Sequence, residues 1–200
     1  MKCTLILPAA GKSSRMRGAD KLLEPVAGQP CLRAMALRGL KAGMAVLVTL
    51  PGADHPRAAA LAEVPVRRLP VRDADKGLSE SLRTGIAALG PEVEAAMILP
   101  PDMPGIQAQD LQALYDAARD NPEALIVQAS GQDGTPGHPV LFRRALFSEF
   151  ATLGGDRGAR DIVGAHARSR LLVPLSGGRA GLDLDTPEDW AAWRAGQAAP

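Results

Sequence analysis

Aromatic side chains make up only 3% of the 200 residues, and all six (Tyr115, Phe142, Phe147, Phe150, Trp190, Trp193) lie in the second half. A nucleotide held by the first half therefore has no ring to stack on, and its base must be read by hydrogen bonds. Cysteine is scarcer still. Cys3 and Cys31 stand alone without a C-x-x-C partner, which excludes a disulfide framework or a zinc site. Long apolar runs are missing as well: Met44–Leu50 falls far short of the about 20 residues that span a bilayer, and the run from Cys3 to Leu7 is too short for a secretory signal. Nor is there an excess of either charge. With 23 Lys+Arg against 22 Asp+Glu the formal net charge is +1, which supports neither a nucleic acid partner nor a polybasic membrane anchor. The expectation is a cytoplasmic protein.

What is present is enough apolar residue, 46% of the chain, to bury one core of ordinary size. The near-neutral total hides an asymmetry: residues 1–100 carry 14 basic and 9 acidic side chains, residues 101–200 carry 9 and 13. Apolar runs at Cys3–Leu7, Ala45–Leu50, Val64–Leu69, Ala95–Leu99 and Ala124–Gln128 read as buried strands. Helical segments fall between them at Pro30–Ala42, Arg57–Ala62, Ser79–Leu89 and Ala108–Arg119. This alternation predicts an α/β fold, a mostly parallel sheet with helices on both faces. After Val127 the rhythm changes. Ser130–Gly137 reads as a loop, Pro139–Phe142 as a short strand, Arg143–Phe150 and Ala159–His166 as helices, Leu171–Leu175 as a strand and Pro187–Trp193 as a last helix. No linker or repeat divides the chain, so residues 1–200 are expected to form one domain, with a nucleotide-binding half at 1–128 and an acceptor-side half at 129–200.

The segment Pro8-Ala9-Ala10-Gly11-Lys12-Ser13-Ser14-Arg15 follows the first strand directly, at the carboxyl edge where open α/β sheets bind ligands. Small residues at 9–11 let backbone N–H groups approach an anion, Ser13 and Ser14 add hydroxyls, and Arg15 and Lys21 supply charge. A P-loop is excluded because position 6 is Ile rather than Gly, and G-x-G-x-x-G is absent. Asp102, between Pro101 and Met103-Pro104 just beyond a buried strand, is a candidate ligand for Mg²⁺, which is held by one or two carboxylates while phosphates and water complete its shell. A second acidic cluster, Asp183 to Asp189, precedes the last helix. Alternation puts Asp183 and Asp185 on one side of an extended stretch; the expected roles are Asp183 as the second metal ligand and Asp185 as the helix cap. Ser79 or Ser81 is expected to cap the helix it opens.

Taken together, L-x-A-A-G-x-S-x-R-M-x-x-x-x-K-L at Leu7–Leu22, Asp102-Met103-Pro104 and D-L-D-T-P-E-D-W at Asp183–Trp190 resemble the nucleotidyltransferases with a glycosyltransferase-A-like, three-layer Rossmann-like fold. Within them the chain most resembles the molybdenum-cofactor cytidylyl- and guanylyltransferase group. The resemblance implies catalysis by Arg15, Lys21 and a metal at Asp102, and nucleotide binding by residues 8–15, Lys21 and an exposed turn bearing Ser79 and Ser81. It also implies an acceptor side built from Gly137-His138-Pro139 and Gly155-Asp156-Arg157-Gly158-Ala159-Arg160, with His138, Arg157 and Arg160 meeting a phosphorylated pterin. The A-A-G form with Ala10 favours CTP over GTP. The expected function is transfer of CMP to molybdopterin, with a molybdoenzyme as client. A GTP-using homologue, a sugar- or polyol-phosphate nucleotidyltransferase and a cofactor-carrying chaperone are the alternatives.

Overall fold

The computed structural model describes residues 1–155 and 158–197. In chain order the elements are β1 (Cys3–Pro8), β2 (Pro25–Val26), β3 (Gln29–Pro30), α1 (Cys31–Lys41), β4 (Ala45–Leu50), α2 (Pro56–Ala60), β5 (Arg67–Pro70), α3 (Leu78–Ala87), β6 (Ala95–Ile98), α4 (Ala108–Asp120), β7 (Ile126–Ser130), β8 (Pro136–Arg143), α5 (Arg160–Ala165), β9 (Arg170–Pro174) and α6 (Pro187–Gln197). Seven strands form one sheet in the order β5-β4-β1-β6-β8-β7-β9, while β2 and β3 make a separate two-stranded hairpin. Every pairing in the large sheet is parallel except those of β8, which runs antiparallel to β6 and β7.

Strand periodicity sorts the apolar residues into two layers. Leu5 and Leu7 of β1 face one core with Val46 and Val48 of β4 and Met97 of β6, and α1, α4 and Trp190 of α6 pack over it. Ile6, Leu47, Ala96 and Ile98 face the other core, closed by Leu82 and Ile86 of α3, Ile162 of α5 and the turn bearing Phe150. Because both faces are covered, the central strands are apolar throughout rather than alternating, and helix, sheet and helix stack as three layers. Among the described residues no helix is long and apolar enough to cross a membrane.

Most expected elements are present, several with shifted bounds. The Val64–Leu69 strand begins only at Arg67, and the helix expected at Arg57–Ala62 is the short α2. Residues 144–152 wind as 3₁₀ turns instead of the expected α-helix. Phe142 and Phe150 pack edge to face there, with centroids 5.1 Å apart. The stretch expected as a Ser130–Gly137 loop is shorter, since β7 reaches Ser130 and β8 starts at Pro136. The boundary at residue 128 falls inside β7. Strand β8 from the second half is inserted between β6 and β7 of the first, so the two halves share one sheet. Trp190, 1% exposed, and Trp193 form a T-shaped pair against the core, with centroids 5.9 Å apart.

Candidate active site

From β1 the chain moves outward through β4 to β5 and then returns to the other side of β1 as β6, so strand order reverses between β1 and β6. Such a switch point opens a crevice beyond the carboxyl ends of the two strands. Pro8 at the end of β1 and Asp102 just after β6 stand at that crevice, and both line a cavity of about 570 Å³, within the usual range for ligand pockets.

The loop after β1 is tied down in several ways. Ala9 N–H donates to the Thr49 carbonyl at 2.9 Å, prolonging the β1–β4 ladder by one residue. A 3₁₀ turn at Ser14–Met16 buries Met16, leaving Arg15 on the outside. The Ser13 hydroxyl donates to Asp20 Oδ1 at 3.1 Å and accepts from Lys21 N–H at 3.2 Å and from Arg57 Nη2 at 3.0 Å. Its one proton is therefore used inside the loop, which corrects the expectation of a free hydroxyl for phosphate at Ser13. Lys12 pairs with Asp75 at 2.7 Å, both exposed.

Asp102 sits on a braced loop. The Cys31 thiol donates to the Pro101 carbonyl at 3.1 Å, Arg38 Nη1 donates to the carbonyls of Pro104 and Ile106 at 2.7 Å each, and Leu184 N–H donates to the Asp102 carbonyl at 3.0 Å. Burial pushes the Cys31 thiol up to about 12, so it stays protonated as a structural donor. Opposite, Arg179 Nη2 meets Asp110 Oδ1 at 2.8 Å, and Asp110 also caps α4 through Gln107 N–H at 2.8 Å.

Charge converges where these loops meet. Lys21 Nζ is bonded to Asp102 Oδ2 and lies 2.7 Å from Asp185 Oδ1, and Arg15 Nη1 lies 2.7 Å from Asp185 Oδ2. Burial opposes the charge on Lys21, but the two carboxylates outweigh it and hold its ammonium above the ordinary lysine range. Asp185 is thus not the cap of α6. Thr186 takes that place, its Oγ1 accepting from Asp189 N–H at 3.2 Å while the Asp189 carboxylate accepts from Thr186 N–H at 2.9 Å. Asp183 and Asp185 both line the cavity while Leu184 between them is 1% exposed, as alternation along an extended stretch requires. Asp102 Oδ1 is buried and has no hydrogen-bond partner among the described residues. A hard-oxygen site for Mg²⁺ fits that oxygen, and the Asp183 carboxylate lines the same cavity.

The second half of the chain contributes to the cavity as well. His138, Arg160 and Asp183 line the cavity beside an apolar surface of Leu78, Leu82, Ile98, Val140 and Phe142. His138 Nδ1 is buried without a partner among the described residues, and burial, with Arg160 nearby, keeps the imidazole below its ordinary range despite Asp102 and Asp183. Arg157 lies outside the described residues. Among the expected nucleotide-binding residues, Pro8, Arg15 and Lys21 face the cavity, whereas Ala9 and Ala10 are buried beneath the loop and Gly11, Lys12 and Ser14 form its exposed side. Ser79 and Ser81 correct the expectation of an exposed turn: they are 1% and 2% exposed and neither caps α3. Gly77 holds the cap position at φ 99°, a backbone region that favours glycine.

One functional candidate escaped the sequence. Arg57, 3% exposed, sits behind the first loop at the start of α2, where the His55 side chain accepts from its N–H at 3.2 Å. Its segment, Pro-Arg-Ala-Ala-Ala, carries only a helix signal.

Residues 5–170 match the MobA-like NTP transferase domain. The 3-phospho-D-glycerate guanylyltransferase of Phenylobacterium zucineum is 34% identical over 160 residues, covering 79% of this chain and 70% of that protein. The bifunctional protein GlmU of Burkholderia multivorans is 36% identical over 119 residues, 58% of this chain, and the aligned region spans 26% of that relative's length. Among solved structures, Rv0371c of Mycobacterium tuberculosis H37Rv superposes with a TM-score of 0.83 at 29% identity, covering 96% of this chain and 98% of that one. Its complex with manganese gives 0.81 at 27%, covering 100% of both chains. The synthetase of CMP:2-keto-3-deoxy-manno-octonic acid complexed with CTP shares the fold, with a TM-score of 0.74 at 17% identity over 99% of both chains. A mostly parallel sheet with its switch point at β1 and β6, a small-residue loop there and the match over residues 5–170 make this chain a member of the MobA-like NTP transferase domain family, and a nucleotidyltransferase.

Proposed function

We propose that the protein transfers CMP from CTP to the terminal phosphate of molybdopterin, with pyrophosphate as the second product and a molybdoenzyme as the client of the dinucleotide. The observation that carries this reading is the convergence of Arg15, Lys21, Asp102 and Asp185 in a cavity that is also lined by His138, Arg160 and apolar side chains. An oxygen of the acceptor phosphate attacks the α-phosphorus in line, a P–O bond to the acceptor forms, and the bond to the β-phosphate oxygen breaks. Both substrates are anions, so alignment and charge neutralisation supply the catalysis. Lys21 and Arg15 meet the triphosphate; Arg160 meets the acceptor phosphate. Asp102 with Asp183 would hold Mg²⁺, which adds neutralising charge at the phosphates when bound.

A second reading follows from the guanylyltransferase relative: GTP as donor and a small phosphorylated acid as acceptor. Beside its charged residues the cavity is lined by Leu78, Leu82, Val140 and Phe142, of which Leu78 is exposed, and an apolar edge of this kind suits a pterin ring. Pyrophosphate release measured with each of the four nucleoside triphosphates, against molybdopterin, 3-phosphoglycerate and a sugar 1-phosphate, decides between them. Release with CTP and molybdopterin alone is the expected outcome. Asp102→Ala is expected to lose at least about a hundredfold in turnover, by the scale of a lost electrostatic stabiliser; near-normal release would remove Asp102 from the site.

A further inference from the structure

All five N–H donors of the Arg57 guanidinium are engaged, and every partner belongs to the loop after β1. Nε donates to Asp20 Oδ2 at 2.7 Å and Nη2 to Asp20 Oδ1 at 2.8 Å and Ser13 Oγ at 3.0 Å. Nη1 donates to the carbonyls of Ala9 and Gly11, each at 2.7 Å. In a trans peptide the C=O of one residue and the N–H of the next point in opposite directions, and the 9–10 and 11–12 bonds are trans. Holding those two carbonyls inward therefore turns the amides of Ala10 and Lys12 outward. Neither amide meets an acceptor among the described residues. Arg15 and Lys21, on the same loop, line the cavity.

We propose that Arg57 is a positioning residue of the anion loop: it never reaches the ligand, and it aims the Ala10 and Lys12 amides at the phosphates. Only a planar fork with five donors spans one carboxylate, one hydroxyl and two carbonyls at once, so lysine cannot replace it. The inference rests on the nucleotidyl-transfer reading for the identity of the anion, and the test separates the two.

Inorganic tripolyphosphate is the probe, with binding followed by calorimetry in the wild type and in Arg57→Lys, and thermal unfolding as the check on folding. Arg57→Lys is expected to unfold cooperatively, to bind tripolyphosphate about tenfold more weakly, and to raise the KM for CTP about tenfold while kcat changes less than about threefold. A purely structural role would lower the unfolding temperature without that split. Asp20→Asn, which leaves both carbonyl contacts possible, is expected to give a smaller loss in the same direction and serves if Arg57→Lys does not fold. A folded Arg57→Lys, or failing that Asp20→Asn, with unchanged tripolyphosphate affinity overturns the proposal, as does a wild type that binds none. Weakened tripolyphosphate binding in Arg57→Lys, with no pyrophosphate released from any nucleotide by the wild type, upholds Arg57's role and defeats nucleotidyl transfer.

Discussion

At the residue scale the loop after β1 depends on the buried Arg57 guanidinium, whose donors are all engaged. Burial alone would raise the Asp20 carboxyl, yet the bidentate Arg57 guanidinium and the Leu22 and Ser13 hydrogen bonds hold it below its ordinary value of 3.8. A carboxyl with a depressed folded-state pKa stabilises the fold above its unfolded value, and that contribution is lost as pH falls through the folded value. Asp20→Asn is therefore expected to be less stable than the wild type at neutral pH, with the gap closing as pH drops from about 5 to about 3. Denaturant unfolding across that range checks it, and a constant gap would detach Asp20 from the ion pair. The same residues show what a sequence can reveal. Gly11, Ser13, Arg15 and Lys21 lie within a few residues of one another, so their chemistry is readable in order. Arg57 meets Asp20 and Ala9 across 37 and 48 residues, and nothing in its own segment marks those contacts. The Asp183 and Asp185 ambiguity has a physical root as well: period two put both on the cavity wall, and only the positions of Lys21 and Arg15 distinguish them.

At the scale of elements, close approach of backbones sets the walls of the site. A Cβ on Gly39 of α1 would lie 2.5 Å from Leu5 Cδ2 and 2.8 Å from Val46 Cγ2, both on buried side chains in the sheet. Gly39→Ala is expected to cost about 1–3 kcal/mol through overpacking, with about 1 kcal/mol returned by helix propensity. A lowered thermal midpoint records it. On the proposed acceptor side, a Cβ on Gly137 would lie 2.0 Å from the Ala180 carbonyl oxygen, which as backbone cannot rotate away. Gly137→Ala must displace residues 176–181, and with them the cavity wall at Ala180 and Gly181. The expected result is a KM for the acceptor raised about tenfold, with the KM for the nucleotide changed far less. An equal rise for both substrates would mean that the wall serves the whole cavity. Helix and strand positions were legible because their periodicities are local. The β2–β3 hairpin and the 3₁₀ winding at 144–152 were not, since two-residue strands have no period and 3₁₀ turns share the composition of α-helix.

For the whole molecule, the fold mixes what the sequence orders. Residues 1–128 hold most of the basic charge and the anion loop, yet β6 and β7 meet only through β8, which arrives later in the chain. A fragment of residues 1–128 would expose the β6 edge and the apolar faces that α5 and α6 cover. It is expected to aggregate, not to fold as a nucleotide-binding unit; a soluble fragment with native circular dichroism would make the two halves separable after all. The opposite charge of the halves also acquires a place in space: Lys21 and Arg15 from the first meet Asp185 from the second, so oppositely charged residues of the two halves pair at the site. The brace under Asp102 carries one more implication. Because Cys31 is sealed at 0% exposure, protonated, and committed to the Pro101 carbonyl, the loop beneath the reaction centre holds no thiolate for peroxide or an alkylating agent to find.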